Sequence, residues 1–283
     1  MKHLRRRGYV FATILLAVAT APAQHAPAGK TATPLPSAAV LKQRVLANLK
    51  RSEAEQERYV CNVSSENDIT NKDGALKDRR TKQYELFFVH GQEIDEVTGK
   101  NGKPLDAGQR KKEMARVEKQ IKKDSDMQYV ARQQAAEAKQ LDTLLRMLHF
   151  TNGHRIEVNG RSTLAYDLTG DPDVHPHGTD ETFLHAMNGT ILVDEETGEL
   201  VDLNARLDHD VRIGGGLLAN LHKGLWIHVH QKRYPDGVWL PDRVEGNGDA
   251  RAAIFFHPYF RFSQTMDGCA LTTVTTSQGP TRQ

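Results

Sequence analysis

The chain has 283 residues, a formal net charge of +2, 38% hydrophobic residues and 26% charged ones. So even a balance excludes a nucleic-acid binder driven by charge alone, and the composition is that of an ordinary soluble domain. The length suits one or two domains.

The opening "MKHLRRRGY" is a basic stretch, followed by an apolar run from Val10 to Ala21 and the small-x-small step Ala21-Pro22-Ala23. This pattern predicts a signal peptide over residues 1–23, cleaved near Ala23, and hence a periplasmic or secreted protein. The apolar run is short for a bilayer span. No second long apolar run follows Pro36, so no transmembrane segment is expected in the mature chain. Residues 24–36 are rich in Pro and Ala and read as a linker.

Ser37 is placed to cap a helix reaching about Arg58, with Leu41, Val45 and Leu49 one turn apart. "YVCNVSS" alternates as a strand, and "NKDG" (Asn71 to Gly74) marks a turn. In "KQYELFFVHG", Tyr84, Leu86 and Phe88 share one face while Phe87 and Val89 share the other. A strand apolar on both faces is expected to be covered on both. "GKNGKPL" from Gly99 is a second turn cluster.

Residues 106–150 read as a charged helical insertion. Asp106 with Gln109 resembles a capping box, and Met114, Val117 and Ile121 give a thin apolar stripe. One helix from Asp106 to Leu148 would be roughly 60 Å long at 1.5 Å per residue. Two helices are therefore expected, with a break near Asp124, a second cap at Ser125, and a stronger stripe of Ala138, Leu141, Leu145 and Leu148. A basic surface of this kind suits anionic lipid or a partner, but a solvated helix face is the plainer reading.

From Thr151 the period becomes two. Leu164, Tyr166 and Leu168 alternate with polar or small residues, as do Val201, Leu203, Ala205 and Leu207, while Leu225, Ile227 and Val229 alternate with Trp226, His228 and His230. Phe260 and Phe262 share a parity, and a short helix is expected near Asp180 to Met187. The predicted class is α+β: a curved antiparallel sheet with helices over its apolar face as a lid, in a single domain over residues 37–277. Residues 278–283 are expected to be a disordered tail.

"IGGGLLANLHKG" (Ile213 to Gly224) invites a phosphate-loop reading. It lacks the required spacing, no Ser or Thr follows Lys223, and strands flank it on both sides. The glycines permit a sharp bend, and Leu217, Leu218 and Leu221 form an apolar knob that plugs the sheet or meets a guest. Histidines cluster at His175/His177, at Asp208-His209-Asp210 and at His228/His230, without the spacing of a zinc signature. No Gly-x-Ser-x-Gly elbow is present, so no catalytic residue, metal ligand or cofactor is assigned. Trp226, Trp239, Phe87 and Phe88 suit either a cavity lining or plain core. Cys61 and Cys269 are either a disulfide or two buried thiols.

The phrases "YELFFVHGQEID" (Tyr84 to Asp95), "KNGKPLD" (Lys100 to Asp106), "RIGGGLLANLHKG" and "WLPDRVEG" (Trp239 to Gly246) resemble the periplasmic lipoprotein-carrier (Lol carrier-like) superfamily, in a branch typical of acidobacteria. The likeness runs from about Ser37 to Thr276. It implies an incomplete β-barrel under a helical lid, with related members carrying acyl chains or sensing the envelope. No ligand contact transfers residue by residue. The expected function is binding of a hydrophobic or lipid-like ligand, such as an acyl chain, without catalysis. Leu217, Leu218, Leu221, Tyr166 and Phe88 are the expected lining. The rivals are a self-filled module that binds an envelope protein partner and, behind it, a metal-dependent hydrolase.

Overall fold

Ser37 starts the first helix: its hydroxyl accepts from the Val40 amide at 3.3 Å and its carbonyl from Leu41 at 2.9 Å. The computed structural model describes residues 34–213, 219–252, 259–273 and 281–282. Leu35–Gln283 forms one compact unit. Helix α1 is Ala38–Gln56, followed by strands β1 Tyr59–Thr70, β2 Leu76–Val89, β3 Gln92–Lys100 and β4 Lys103–Pro104. Helices α2 Ala107–Asp124 and α3 Met127–Met147 lead to β5 Leu148–Val158 and β6 Arg161–Gly170. After α4 Gly178–His185 come β7 Met187–Asp194, β8 Leu200–Leu207, β9 Val211–Ile213 and β10 Ala219–Leu221. The chain ends with β11 Trp226–Arg233, β12 Trp239–Ala252, β13 Tyr259–Thr273 and β14 Thr281–Arg282. Thus two residues of the tail expected to be disordered pair with β13.

The sheet is antiparallel throughout, in the order β4-β3-β2-β1-β13-β12-β11-β8-β7-β6-β5, with β10 bridging β12 and β9. Its outer strands β4 and β5 are not paired with each other, so it is an incomplete barrel. Two local meanders, β1–β4 and β5–β8, form its wings, and β11–β13 join them. The α2–α3 insertion leaves one edge and re-enters at the other.

Directly paired residues point to the same side of a pleated sheet. One such row runs Tyr166, Ile191, Leu203, Val229, Val244, Gln264, Ser65, Lys82 across eight strands. That row is apolar from β6 to β12 and polar at β13, β1 and β2, whereas further along the same face Val63, Cys61, Leu86 and Met266 make it apolar there too. Helix α1 lies on the apolar part: Leu41 (1% exposed) and Val45 pack with Leu164, Tyr166, Ile191 and Val193. Asn48 reaches the Thr197 carbonyl and Arg51 pairs with Glu199, which pins α1 to the β7–β8 turn.

The insertion breaks where expected. The Asp106–Gln109 capping box starts α2, and Ser125 ends it. The second N-cap is Asp126 rather than Ser125: its carboxylate accepts from the Gln128 and Tyr129 amides, while the Ser125 hydroxyl donates back to the Ile121 carbonyl. Helix α2 does not lie on the inner face. Val117 and Ile121 pack on Val60, Phe87, Val89 and Ile94, which alternate away from Cys61 and Leu86. Glu113 accepts from the Val97 amide and Arg116 donates to the Asp95 carbonyl, so α2 side chains occupy free positions on the β3 edge. Covering an edge in this way guards against pairing with another chain. Strand β2 is buried on both faces only at Leu86 and Phe87, and its first half, from Leu76, is exposed.

Cys61 and Cys269 are bonded to each other across β1 and β13, among Tyr59, Val238, Leu240 and Met266.

Candidate functional site

The site is built where the strands end away from α3. The β2–β3 turn lies by Glu57, just after α1, and Gln134 of α3, which a methyl on Gly91 would meet. At the other end, the β1–β2 turn and the starts of β11 and β13 surround an open cleft of about 340 Å³. Lys223, Leu225, Gly248, Tyr259, Phe260 and Arg261 are among its lining residues.

Two glycines in β12 shape the floor. A Cβ on Gly248 would sit 2.7 Å from the Leu225 side chain. One on Gly246 would sit 2.5 Å from the Trp226 carbonyl oxygen and 2.7 Å from the Phe262 ring. Without Cβ atoms the strand lets Leu225 and Phe262 lie against its backbone. Phe260 pairs with Gly248 on one side and Ile69 on the other. Leu225 also packs against the main core, so the cleft floor is continuous with the apolar inner face.

The rim is polar and held in place. The Asp210 carboxylate accepts from the Lys223 amide at 2.8 Å and contacts His222 Nδ1 at 3.2 Å. The Lys223 amide, first, and then His222 keep that carboxyl below its ordinary range. The Lys223 side chain stands exposed. Arg261 donates to Asp68 at 2.6 Å, and 60% of its side chain remains exposed. Asp68 itself is fully enclosed. Arg79 binds both its oxygens at 2.8 Å, and the Arg79 hydrogen bond foremost, with that of Arg261, brings its pKa down to about 2. The cleft thus has an apolar floor with Lys223 at its rim, while Arg261, which also borders it, holds its guanidinium on Asp68 at the opposite face of the sheet.

The predicted lining is dispersed. Tyr166 is 5% exposed inside the cluster beneath α1, edge-on to Phe150, and its hydroxyl donates to the Pro36 carbonyl at 3.4 Å. Leu221 is half-buried against that same cluster. Phe88 is half-buried near the far end of β2, opposite Glu93. Leu217 and Leu218 lie outside the described residues. The structure brings Tyr166 and Leu221 into one cluster and leaves Phe88 apart. Sequence reading did not single out Leu225, Phe260 and Arg261 as a site. The available signal was Gly246 and Gly248 two apart in a strand, with Phe260 and Phe262 two apart in the next.

In the clusters at 208–210 and 228/230 the histidines are engaged by carboxylates. His228 meets Asp202 at 2.7 Å and Glu245 at 3.3 Å, and His230 meets Asp242 at 2.5 Å. His209 contacts its neighbour Asp208. Among the described residues, no group of three or more His, Cys, Asp or Glu is arranged to hold a metal ion. Also among them, no helix is long and apolar enough to cross a membrane.

No protein-family model and no curated relative matches the chain. Among solved structures it is similar to lipovitellin, studied for its lipid–protein interactions, at 11% identity and a TM-score of 0.30. That match covers 80% of this chain and 27% of the other, so the chain spans about a quarter of lipovitellin's length. A LolA superfamily protein from Nitrosomonas europaea matches at 9% identity and a TM-score of 0.27, covering 81% and 94% of the two chains. MucB in complex with MucA(peri) matches at 10% and 0.20, covering 79% and 94%. At these identities and TM-scores the likenesses carry no argument, and what the site can bind rests on this chain's own geometry.

Proposed function

We propose that this protein is exported and holds a lipid-like guest, whose apolar part rests on the cleft floor and extends toward the half-barrel's inner face. The observation that carries this reading is the apolar path from Phe260 and Gly248 through Leu225 into the main cluster, opening at a rim with Lys223. Burying apolar surface there contributes about 25 cal/mol per Å². Leu221, which packs against the cluster that Leu225 joins, is proposed to guide the guest inward, and Leu217 and Leu218 are proposed with it from their nearness in sequence alone; Tyr166 and Phe88 are proposed as contacts only for a guest that reaches deeper.

One observation favours a second reading. Leu41 and Val45 of α1 fill the trough over β6–β8, as a self-filled interaction module would require. The two readings part on titration with a long-chain fluorescent fatty acid. Saturable binding, weakened about tenfold or more by Phe260→Ala, supports the guest reading, since a buried Phe side chain is worth about 1.5–3 kcal/mol. Failure to bind, with no lipid retained in native mass spectra of gently purified protein, leaves the module.

A further inference from the structure

Helix α2 carries a one-sided charge that the guest reading does not use. Arg110, Lys111, Lys112, Lys119, Lys122 and Lys123 are all exposed. Of the helix's three carboxylates, Glu113 and Asp124 are buried and only Glu118 is exposed. Glu113 is engaged by Arg116 and the Val97 amide, and Asp124 by Gln120. Folding therefore sorts a mixed sequence into six cations against one carboxylate on a single element, in a chain whose formal net charge is only +2. Lys111, Lys112, Lys119 and Lys122 have no carboxylate partner among the described residues. Lys111 to Lys122 spans about 16 Å of helix at 1.5 Å per residue. Beside them Met114 is 59% exposed, and Met127, just past the helix end, is 62% exposed.

We propose that the outward face of α2 is a docking surface for an anionic phospholipid bilayer. Helix α2 is anchored to the outer side and edge of the β1–β3 wing, so it presents its lysines without disturbing the half-barrel. The charge complements acidic headgroups, and each lysine close to such a surface strengthens binding several-fold. An acidic protein is the weaker match. Protein interfaces are depleted in lysine and anchored by aromatic residues or arginine, whereas this face offers clustered lysines, which an acidic membrane surface attracts.

The test is sedimentation of the protein with vesicles of phosphatidylglycerol and phosphatidylcholine at low salt, with pure phosphatidylcholine vesicles alongside. Binding is expected to the anionic vesicles alone and to collapse as salt rises toward 1 M, where the screening length falls to about 3 Å. A combined Lys111→Glu, Lys112→Glu, Lys119→Glu, Lys122→Glu variant should lose about a hundredfold or more of that affinity. It should keep the wild-type circular dichroism and bind the fluorescent fatty acid as before, which separates docking from guest binding. Should that variant misfold, Lys119→Gln with Lys122→Gln should still weaken docking several-fold. Equal sedimentation with neutral vesicles, or variants that pellet like wild type, would overturn the proposal. Failure to pellet with anionic vesicles at all would also overturn it and point to an acidic protein instead.

Discussion

Asp68 and His228, both on the outer face of the sheet, show how single side chains couple stability to pH. Asp68 sits between Arg79 and Arg261 on the neighbouring strands, fully enclosed, with a pKa of about 2. A carboxylate depressed in this way stabilises the fold above its ordinary pKa near 4, and that contribution is lost as pH falls toward 2. His228 has the opposite sign. Burial alone would lower its pKa, but the hydrogen bonds of Asp202 and Glu245 outweigh burial and raise it above 6.5. Its contribution is complete below pH 6.5 and disappears as pH climbs through the raised value. Stability from this pair should therefore peak between about pH 4 and pH 6.5. Urea midpoints across pH should show Asp68→Asn costing about 2 kcal/mol near neutrality, since hydrogen bonds to charged groups are worth about 1.5–3 kcal/mol. That deficit should shrink in acid. His228→Gln should cost most at the acidic end of its window and little at pH 9. A flat difference for either variant would show that its carboxylate contacts do not set the titration.

At the scale of elements, α1 separates the two functional readings, because it is the helix that fills the apolar trough. Leu41 is 1% exposed among Leu164, Tyr166 and Val193, and truncating a buried leucine to alanine costs about 2–5 kcal/mol. Leu41→Ala should lower the urea midpoint accordingly, while Val40→Ala, 40% exposed on the same helix, should change it by less than about 0.5 kcal/mol. Matching losses for the two would mean that α1 is not seated on its Leu41 face. This helix was legible in the sequence because its information is local: a cap at Ser37, then Leu41 and Val45 one turn apart. The Asp106–Gln109 box and the break near Asp124 were legible for the same reason. The second cap slipped by one residue because Ser125 and Asp126 are both competent capping residues and only the backbone path chooses between them. What α2 packs against was not legible. The spacing of Val117 and Ile121 defines a stripe, and nothing local says whether that stripe meets the inner face or the outer side of Phe87. The cleft was hidden for a related reason: Leu225, Gly248 and Phe260 converge only through long-range pairing of β11, β12 and β13.

For the whole molecule, the decisive join is the one between β1, the first strand, and β13, near the chain's end. That pairing makes one sheet of two wings that each could form locally, and it is the pairing most expensive in chain entropy. The Cys61–Cys269 bond, with a sequence separation of 208, sits at the same join. In the chain-entropy view the bond acts chiefly on the unfolded state. Closing a loop of that length is worth about 5 kcal/mol, while the β1–β13 ladder persists in the folded state with or without it. Reduction, or Cys61→Ser with Cys269→Ser, should therefore lower Tm by about 10–20 °C for a domain of this size yet leave the far-ultraviolet circular dichroism unchanged. Single variants should fall at least as far, since each leaves an unpaired thiol in the cluster of Tyr59, Val238 and Leu240. The bond also ties stability to compartment, because such bridges persist where the surroundings are oxidising. Protein kept in oxidising buffer should resist alkylation by iodoacetamide, whereas protein made and held under reducing conditions should take two labels and melt at the lower temperature. Two labels on the oxidised form would show that this bond does not persist there.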